Sequence, residues 1–587
     1  MSKTESIFSL LQKTHQIPDS VLVIERGDFD NKPQAIIPYW ANALDTTVMS
    51  RPVSAPVAAL NNITVNVPVA AVVGGGTVVN GMAFLRPSRA DYDAWEELGN
   101  QGWGWDGLLP YFKKSSTFLP PSPEAAREWN ITYNPKVWSE DLSEGPVHVT
   151  IPDFQYQDMH KFLDAWKEFG VVEKKTDYAA GEGPGVYWNM LTIDRRDQTR
   201  TTSRKAYYDP VYSQRPNLVL LTKHRAIEIL FSDKGKGNPE ATGVKITSLD
   251  TNTTTSVFIR KELILAAGAV QTPHLLQVSG LGPKEVLSAA GISVKKDLPS
   301  IGANLQDHPS IYMSFNISNQ TFPNPDTISQ NATYNASVFA EYFTYKTGPV
   351  ASGSASIGVQ IAFPQLAPNL SSLPTTLLSQ NALDHLPAIY RRSPPLLEGY
   401  LSQRSILASR YSTNTSGVTQ FGFLGNSFAS ATFLKPLSRG TITLNASNPA
   451  GHPVVQYNTL SNPLDLTTLV SNVKFSRSFW NRTPSPLNQL HPVENRPGAQ
   501  YATDEQIRTA LTTLPGLVTP GTAHLSGTTA MAPEEKGGVV GTDLRVYGVG
   551  RLRIVDAGII PLIVGGPLQA TVYAVAEKAA DLILNGE

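Results

Sequence analysis

Cysteine is missing altogether from the 587 residues. That excludes disulfides, thiolate nucleophiles, Cys-ligated zinc and iron–sulfur clusters, and it leaves the compartment open, since a core of this size needs no covalent staple. Charge is scarce as well: Asp, Glu, Lys and Arg make up 17% of the chain and the net charge is −1. No electrostatic footprint for nucleic acid or for an anionic membrane surface follows from that. Long apolar runs are lacking; none approaches the ~18 residues a bilayer span needs. Met1 to Ser20 shows no basic start followed by an apolar stretch, so no signal peptide is visible. The expectation is a soluble protein, either cytoplasmic or secreted with its leader outside this sequence. Neither a Gly-x-Ser-x-Gly elbow nor a His-Glu-x-x-His helix occurs, which removes serine-hydrolase and zinc-hydrolase chemistry. No metal site is expected. Finally, no glycine precedes Gly27.

What is present reads as an ordinary globular chain, 41% hydrophobic, long enough for two to four packing units at about 150 residues each. Asn-x-Ser/Thr sequons stand at Asn62, Asn130, Asn252, Asn316, Asn319, Asn331, Asn335, Asn369, Asn414, Asn445 and Asn481. That density hints at glycosylation on the secretory route. Ile7 to Gln12 has helical spacing, and Val21-Leu22-Val23-Ile24 reads as a short buried strand. Leu218 to Phe231 and Val244 to Leu265 alternate as successive strands. From about residue 313 to 520, Pro, Ser, Asn and Thr become frequent between short apolar runs, the signature of an antiparallel sheet with long connections. The last 60 residues return to strand-turn-helix grammar. The fold class expected is therefore α/β, with a Rossmann-like lobe interrupted by an antiparallel-sheet lobe. The first comprises residues 1–150, 207–312 and 521–587, the second 151–206 and 313–520.

Glu25 ends the Val21–Ile24 strand where a dinucleotide-binding unit places its ribose-binding acid. That acid lies about 20 residues beyond the glycine fingerprint. Counting back puts Gly-x-Gly-x-x-Gly at or before the first residue, so the lobe is read as lacking its first strand and Gly loop. Alone, Glu25 reads equally well as a strand-end residue without a ligand.

Four ordered motifs extend the pattern: Ala71 to Met82 with Gly74-Gly75-Gly76; Gly268 to Gly282; Gly302-Ala303-Asn304-Leu305-Gln306-Asp307-His308-Pro309; and His524-x-x-Gly527-Thr528-x-x-Met531 with Leu552 to Ala557. Together they resemble the glucose–methanol–choline (GMC) oxidoreductases, in particular the fungal aryl-alcohol and secondary-metabolism dehydrogenases, with versicolorin B synthase as a related non-redox member. The resemblance implies FAD as cofactor and a small-molecule alcohol as substrate, aromatic or polyketide-derived. Its cofactor-binding positions would be Glu25, Gly74, Gly75, Gly76, Thr77, Asn80, Gly81, Met82, Asp556, Leu568 and Gln569. Glycines 74–76 let a backbone approach a planar ligand without a Cβ in the way. His524 would be the base that takes the hydroxyl proton. The family's second His or Asn falls on Pro567, which has no side-chain donor or acceptor; Gln569 is the nearest amide. His308 is read as a turn-capping position outside the chemistry. Two alternatives stay beside alcohol oxidation: a flavin-independent cyclase or dehydratase, and a binding protein that keeps only the scaffold.

Overall fold

In a computed structural model, which describes residues 20–43, 45–139, 145–232, 237–353 and 357–586, the apolar run Val21–Ile24 forms strand β1. The helical reading of Ile7 to Gln12 lies outside the described residues. The glycine triplet leads into one helical turn, α1 (Gly76–Val79). Then follow β2 (Gly185–Trp188), β3 (Leu218–Leu221), β4 (His224–Phe231), β5 (Ala241–Ser248), β6 (Thr254–Phe258), β7 (Leu263–Leu265) and helix α2 (Gly268–Val278). The next strands are β8 (Ser310–Asn316), β9 (Ile357–Ile361), β10 (Thr419–Phe423) and β11 (Phe428–Phe433). Helix α3 (Pro463–Trp480), β12 (Val493–Arg496), β13 (Val518–Thr519), β14 (Leu552–Ile554) and helix α4 (Gln569–Leu584) complete the elements used below.

Two styles of sheet result. β1 pairs in parallel with β3, and β7 in parallel with β14. β4, β5 and β6 form an antiparallel meander beside them. The second style is a seven-stranded sheet in the order β12-β8-β11-β10-β9-β2, with β13 added on β8. β2 reaches this sheet from far upstream, in register Ile357↔Trp188 with β9.

The alternating pattern of β10 explains the backing of the large sheet, since Phe421 and Phe423 turn inward while their neighbours do not. They meet Phe475, Phe479 and Trp480 of α3. Trp166 stacks on Phe479 with centroids 4.0 Å apart, and Phe315 on Trp480 at 4.6 Å. Each such pair adds about 0.5–1.5 kcal/mol beyond its buried area. On the parallel side, α4 is rich in alanine, which lets it lie close against the helix of residues 105–115; its Thr571 also shares a buried hydroxyl contact of 2.8 Å with Tyr92 of the helix at residues 89–97. None of the eleven sequon asparagines is buried. Among the described residues no helix is long and apolar enough to cross a membrane.

Candidate active site

Two antiparallel contacts bring distant motifs together. β13 pairs with β8 at Ser310↔Thr519 and Ile311↔Val518, and Gln306 exchanges two backbone hydrogen bonds with Ser526, 3.0 and 2.9 Å long. Residues 307–309 of one segment face 520–525 of the other, so the second segment must bulge. Asp307 holds the bulge. Its Oδ1 accepts from the backbone N–H groups of His308 (2.7 Å), His524 (2.9 Å) and Thr522 (3.1 Å). Burial pushes this carboxyl up to about 7, against the three donors that pull it down.

The bulge sets His524 Nδ1 2.9 Å from His308 Nδ1, with the rings nearly perpendicular, and 3.1 Å from Thr522 Oγ1. His308 is fully buried and His524 partly exposed. Burial is the main cause that lowers both imidazoles below their ordinary value. Both are therefore neutral at neutral pH, the state a proton acceptor needs. The expectation that His308 only caps a turn is corrected here, because its ring is hydrogen-bonded to that of His524.

Pro567 sits half-buried in the loop before α4. This loop is clamped from other segments of the chain. Gln360 Nε2 donates to Gly565 O (2.6 Å), and Asp91 Oδ2 accepts from Gly565 N (3.2 Å). Asp91 also forms a buried ion pair with Lys435 at 2.7 Å, both side chains at most 3% exposed, and accepts from Ser416 Oγ at 2.7 Å. The stretch Asp91-Tyr92-Asp93-Ala94-Trp95 is itself typical of the family that the motifs resemble, but it assigns Asp91 no role; Lys435 and Gln360 were passed over, since a lone lysine or glutamine carries no pattern until the chain folds.

The glycine motif and the start of α4 share one hydrogen-bonded network. Gly74 and Gly75 are buried at φ +102° and +55°, where a Cβ would be strained. Gly76 opens α1, and Thr77 Oγ1 donates to Gly74 O (2.6 Å). Arg200, buried and charged, donates through Nη1 to Asn80 Oδ1 (2.8 Å) and Asn80 O (2.7 Å). An arginine can only donate, so Asn80 must present its amide to Gln569 Oε1, 2.7 Å away. Gln569 Nε2 then points to Thr192 Oγ1 at 3.4 Å. Gly81 is half-buried, Met82 is buried at φ +63°, and Leu568 is buried beside Gln569. Asn80 and Gln569 are thus brought together, with Arg200 as the residue the sequence alone did not reveal.

Glu25 is buried at the end of β1, its Oε1 accepting from Gly27 N at 2.7 Å. Asp556, buried at the end of β14, accepts from Gly268 N (2.9 Å), Thr272 Oγ1 (2.6 Å) and Gly558 N (2.7 Å). Its carboxylate therefore fixes the start of α2. Between β1 and β7 lies a cavity of about 500 Å³, lined by Leu22, Ile24 and Arg26 on one side and by Leu263 to Ala267 on the other. Arg225 and Gln271 also face it. The hollow runs the length of both strands, which pair with β3 and β14 and not with each other; its end at Arg26 and Ala267 lies at their carboxyl ends, the side on which open α/β sheets hold dinucleotides. Its two arginines suit a pyrophosphate. These residues fit a flavin dinucleotide.

Comparison with known proteins follows the same lines. The sequence pattern of GMC oxidoreductases matches residues 36–310 with its N-terminal part and 436–576 with its C-terminal part. Dehydrogenase xptC of Emericella nidulans is 33% identical over 577 residues, which is 97% of this chain and 89% of that protein. Among solved structures, an FAD-dependent oxidoreductase from Chaetomium thermophilum superposes with a TM-score of 0.93 at 36% identity, covering 100% of this chain and 98% of that one. A fungal aryl-alcohol oxidase superposes at 0.91 and 31% identity, covering 99% and 98%.

Proposed function

We propose, for a chain that belongs to the GMC oxidoreductase family, that its alcohol oxidoreductase activity uses FAD and acts on an aromatic or polyketide-derived alcohol. The carrying observation is the neutral, partly exposed imidazole of His524, anchored by Asp307 and bonded to a second buried imidazole. Bound FAD supplies the hydride acceptor for such a reaction. Glu25, Arg26 and Arg225 would hold its dinucleotide part along the cavity, and Gly74, Gly75, Gly76, Thr77, Asn80, Gly81, Met82, Leu568 and Gln569 would border its ring. Asp556 would act from behind by fixing the start of α2.

His524 takes the hydroxyl proton in this reading. Gln569, already bonded to Asn80 and Thr192, orients rather than reacts. The resemblance to aryl-alcohol oxidase in fold and sequence supports an aromatic substrate; the fungal dehydrogenase relatives support a biosynthetic one. A second reading rests on Pro567, which offers nothing to a developing alkoxide. In that reading His524 serves acid/base chemistry without hydride transfer, as in a cyclisation with dehydration.

The test uses Pro567→His and Pro567→Asn, with 4-methoxybenzyl alcohol, added FAD and a dye acceptor. A hydrogen bond aimed at transition-state charge is worth about 2.7–4 kcal/mol in other enzymes, so either variant should oxidise the alcohol at least ~10-fold faster than the wild type. Oxidation undetectable in all three proteins, each shown by melting to be folded, would abandon the oxidase reading for the non-redox one.

A further inference from the structure

The two strands that wall the hollow each have one bare edge. In β1, Val21 N donates to Asn217 O (2.8 Å) and Glu25 N to Leu221 O (2.9 Å). Backbone groups of successive residues point to opposite edges of a strand, so those of Leu22 and Ile24 face away from β3 and into the hollow. In β7, Leu263 N donates to Arg551 O (3.0 Å) and Leu265 O accepts from Val555 N (2.8 Å). Ile264 and Ala266 therefore present their groups to the hollow from its other side. Among the described residues, none of these four has a backbone hydrogen-bond partner on that edge. The walls are apolar as well as unpaired: Leu22 is 39% exposed, Ile24, Leu263 and Ile264 are half-buried, and Leu275 and Val278 also line the space. An occupant must offer apolar side chains together with alternating donors and acceptors on two opposite edges. A dinucleotide at Arg26 and Ala267 answers at the carboxyl ends only, and an apolar ligand leaves both backbone rows unpaired, which costs free energy away from water. An extended polypeptide supplies both at once.

We propose that the hollow is an acceptor slot for one β-strand, donated from outside this sequence and pairing with β1 on one edge and β7 on the other. Both walls run toward the end at Arg26 and Ala267, so the donor joins them in parallel. It is about four residues long, the length of β1, and apolar throughout, as a parallel strand covered on both faces is. The first residues of this chain do not match that description. A parallel crossover takes about a dozen residues; counting that back from Ser20 leaves Met1 to Ile7, which include Lys3 and Glu5. With the donor in place, the two separate parallel pairs become one continuous sheet, β3-β1-donor-β7-β14. The carboxyl end of the donor then lies beside the dinucleotide end of the hollow.

The experiment uses the full chain and a synthetic peptide, acetyl-Lys-Lys-Val-Ile-Val-Val-Ile-Gly-amide, with a fluorophore on its first lysine. A second version carries a photoreactive diazirine side chain at the central valine. Fluorescence anisotropy should show one saturable site per chain. Light should couple the peptide to both walls, within residues 22–26 and within residues 263–267. N-methylating alternate residues of the peptide blocks its donors on one edge. Either alternate set should weaken binding at least ~10-fold, because the facing wall keeps acceptors that are then buried without a donor. Saturating FAD should leave the peptide bound, since the dinucleotide takes the end of the hollow and not its length. Absence of saturation by about 1 mM peptide overturns the proposal. Coupling to one wall alone overturns it as well, as does coupling elsewhere, for instance to the exposed edge of β6. Displacement of the peptide by FAD also overturns it, and gives the length of the hollow to the dinucleotide.

Discussion

Replacing His524 by alanine should lower alcohol turnover by about 10²–10⁴, the usual worth of a positioned acid or base. KM should move little, because the lost interaction belongs to the proton in flight rather than to ground-state binding. The protein should stay folded: Asp307 holds residue 524 through its backbone N–H, which alanine retains, and the ring itself is partly exposed. The pH profile gives an independent check. Burial lowers the imidazole below its ordinary value, so His524 remains a competent base as pH falls through 6.5. The acid limb of kcat/KM should therefore lie below the position of a free imidazole, near ~6.5, and should vanish in the alanine variant along with most of the rate. Turnover in His524→Ala within twofold of the wild type would remove this residue from the mechanism.

Lys435→Met should shorten the protein's thermal half-life severely. It leaves Asp91 buried with no cation beside it, and breaking one half of a buried ion pair costs about 3–5 kcal/mol. Because the chain is long and has two styles of sheet, the readout should be the half-life at a fixed temperature rather than one melting point. Activity should fall as well, since Asp91 Oδ2 also fixes Gly565 N in the loop that carries Pro567. The double variant Asp91→Asn, Lys435→Met should be more stable than Lys435→Met alone, because the stranded charge is gone. A single variant with an unchanged half-life would mean that the pair is solvated and the loop is held by Gln360 alone.

The residues that the sequence made legible are those whose role is local. Val21–Ile24 and Leu552–Ile554 announce strands by composition, and Gly74–Gly75 announce a turn by needing positive φ. His524 stood out through the Gly527-Thr528 pattern beside it. What stayed hidden depends on pairing across hundreds of residues. His308 joins His524 only because Ser310 and Thr519 lie in register across 209 positions of chain (519 minus 310). Arg200 orients Asn80 across 120 positions, and Lys435 reaches Asp91 only in the folded molecule. Neither residue has a spacing that marks it beforehand. Asp556 stands where the motif puts it, but its partners Gly268, Thr272 and Gly558 could not be read from the motif.

The hollow between β1 and β7 also determines where amide hydrogens exchange first. Local opening costs least where few apolar contacts and short pairings hold the backbone. A solvent-open chamber of about 500 Å³ flanked by strand pairs four and three residues long makes this part of the fold the easiest to open. The large sheet, braced by rings stacked at 4.0 and 4.6 Å, has far more to lose. Deuterium should therefore enter β1 and β7 before β8 and β10, and a dinucleotide lodged in the hollow should slow that exchange.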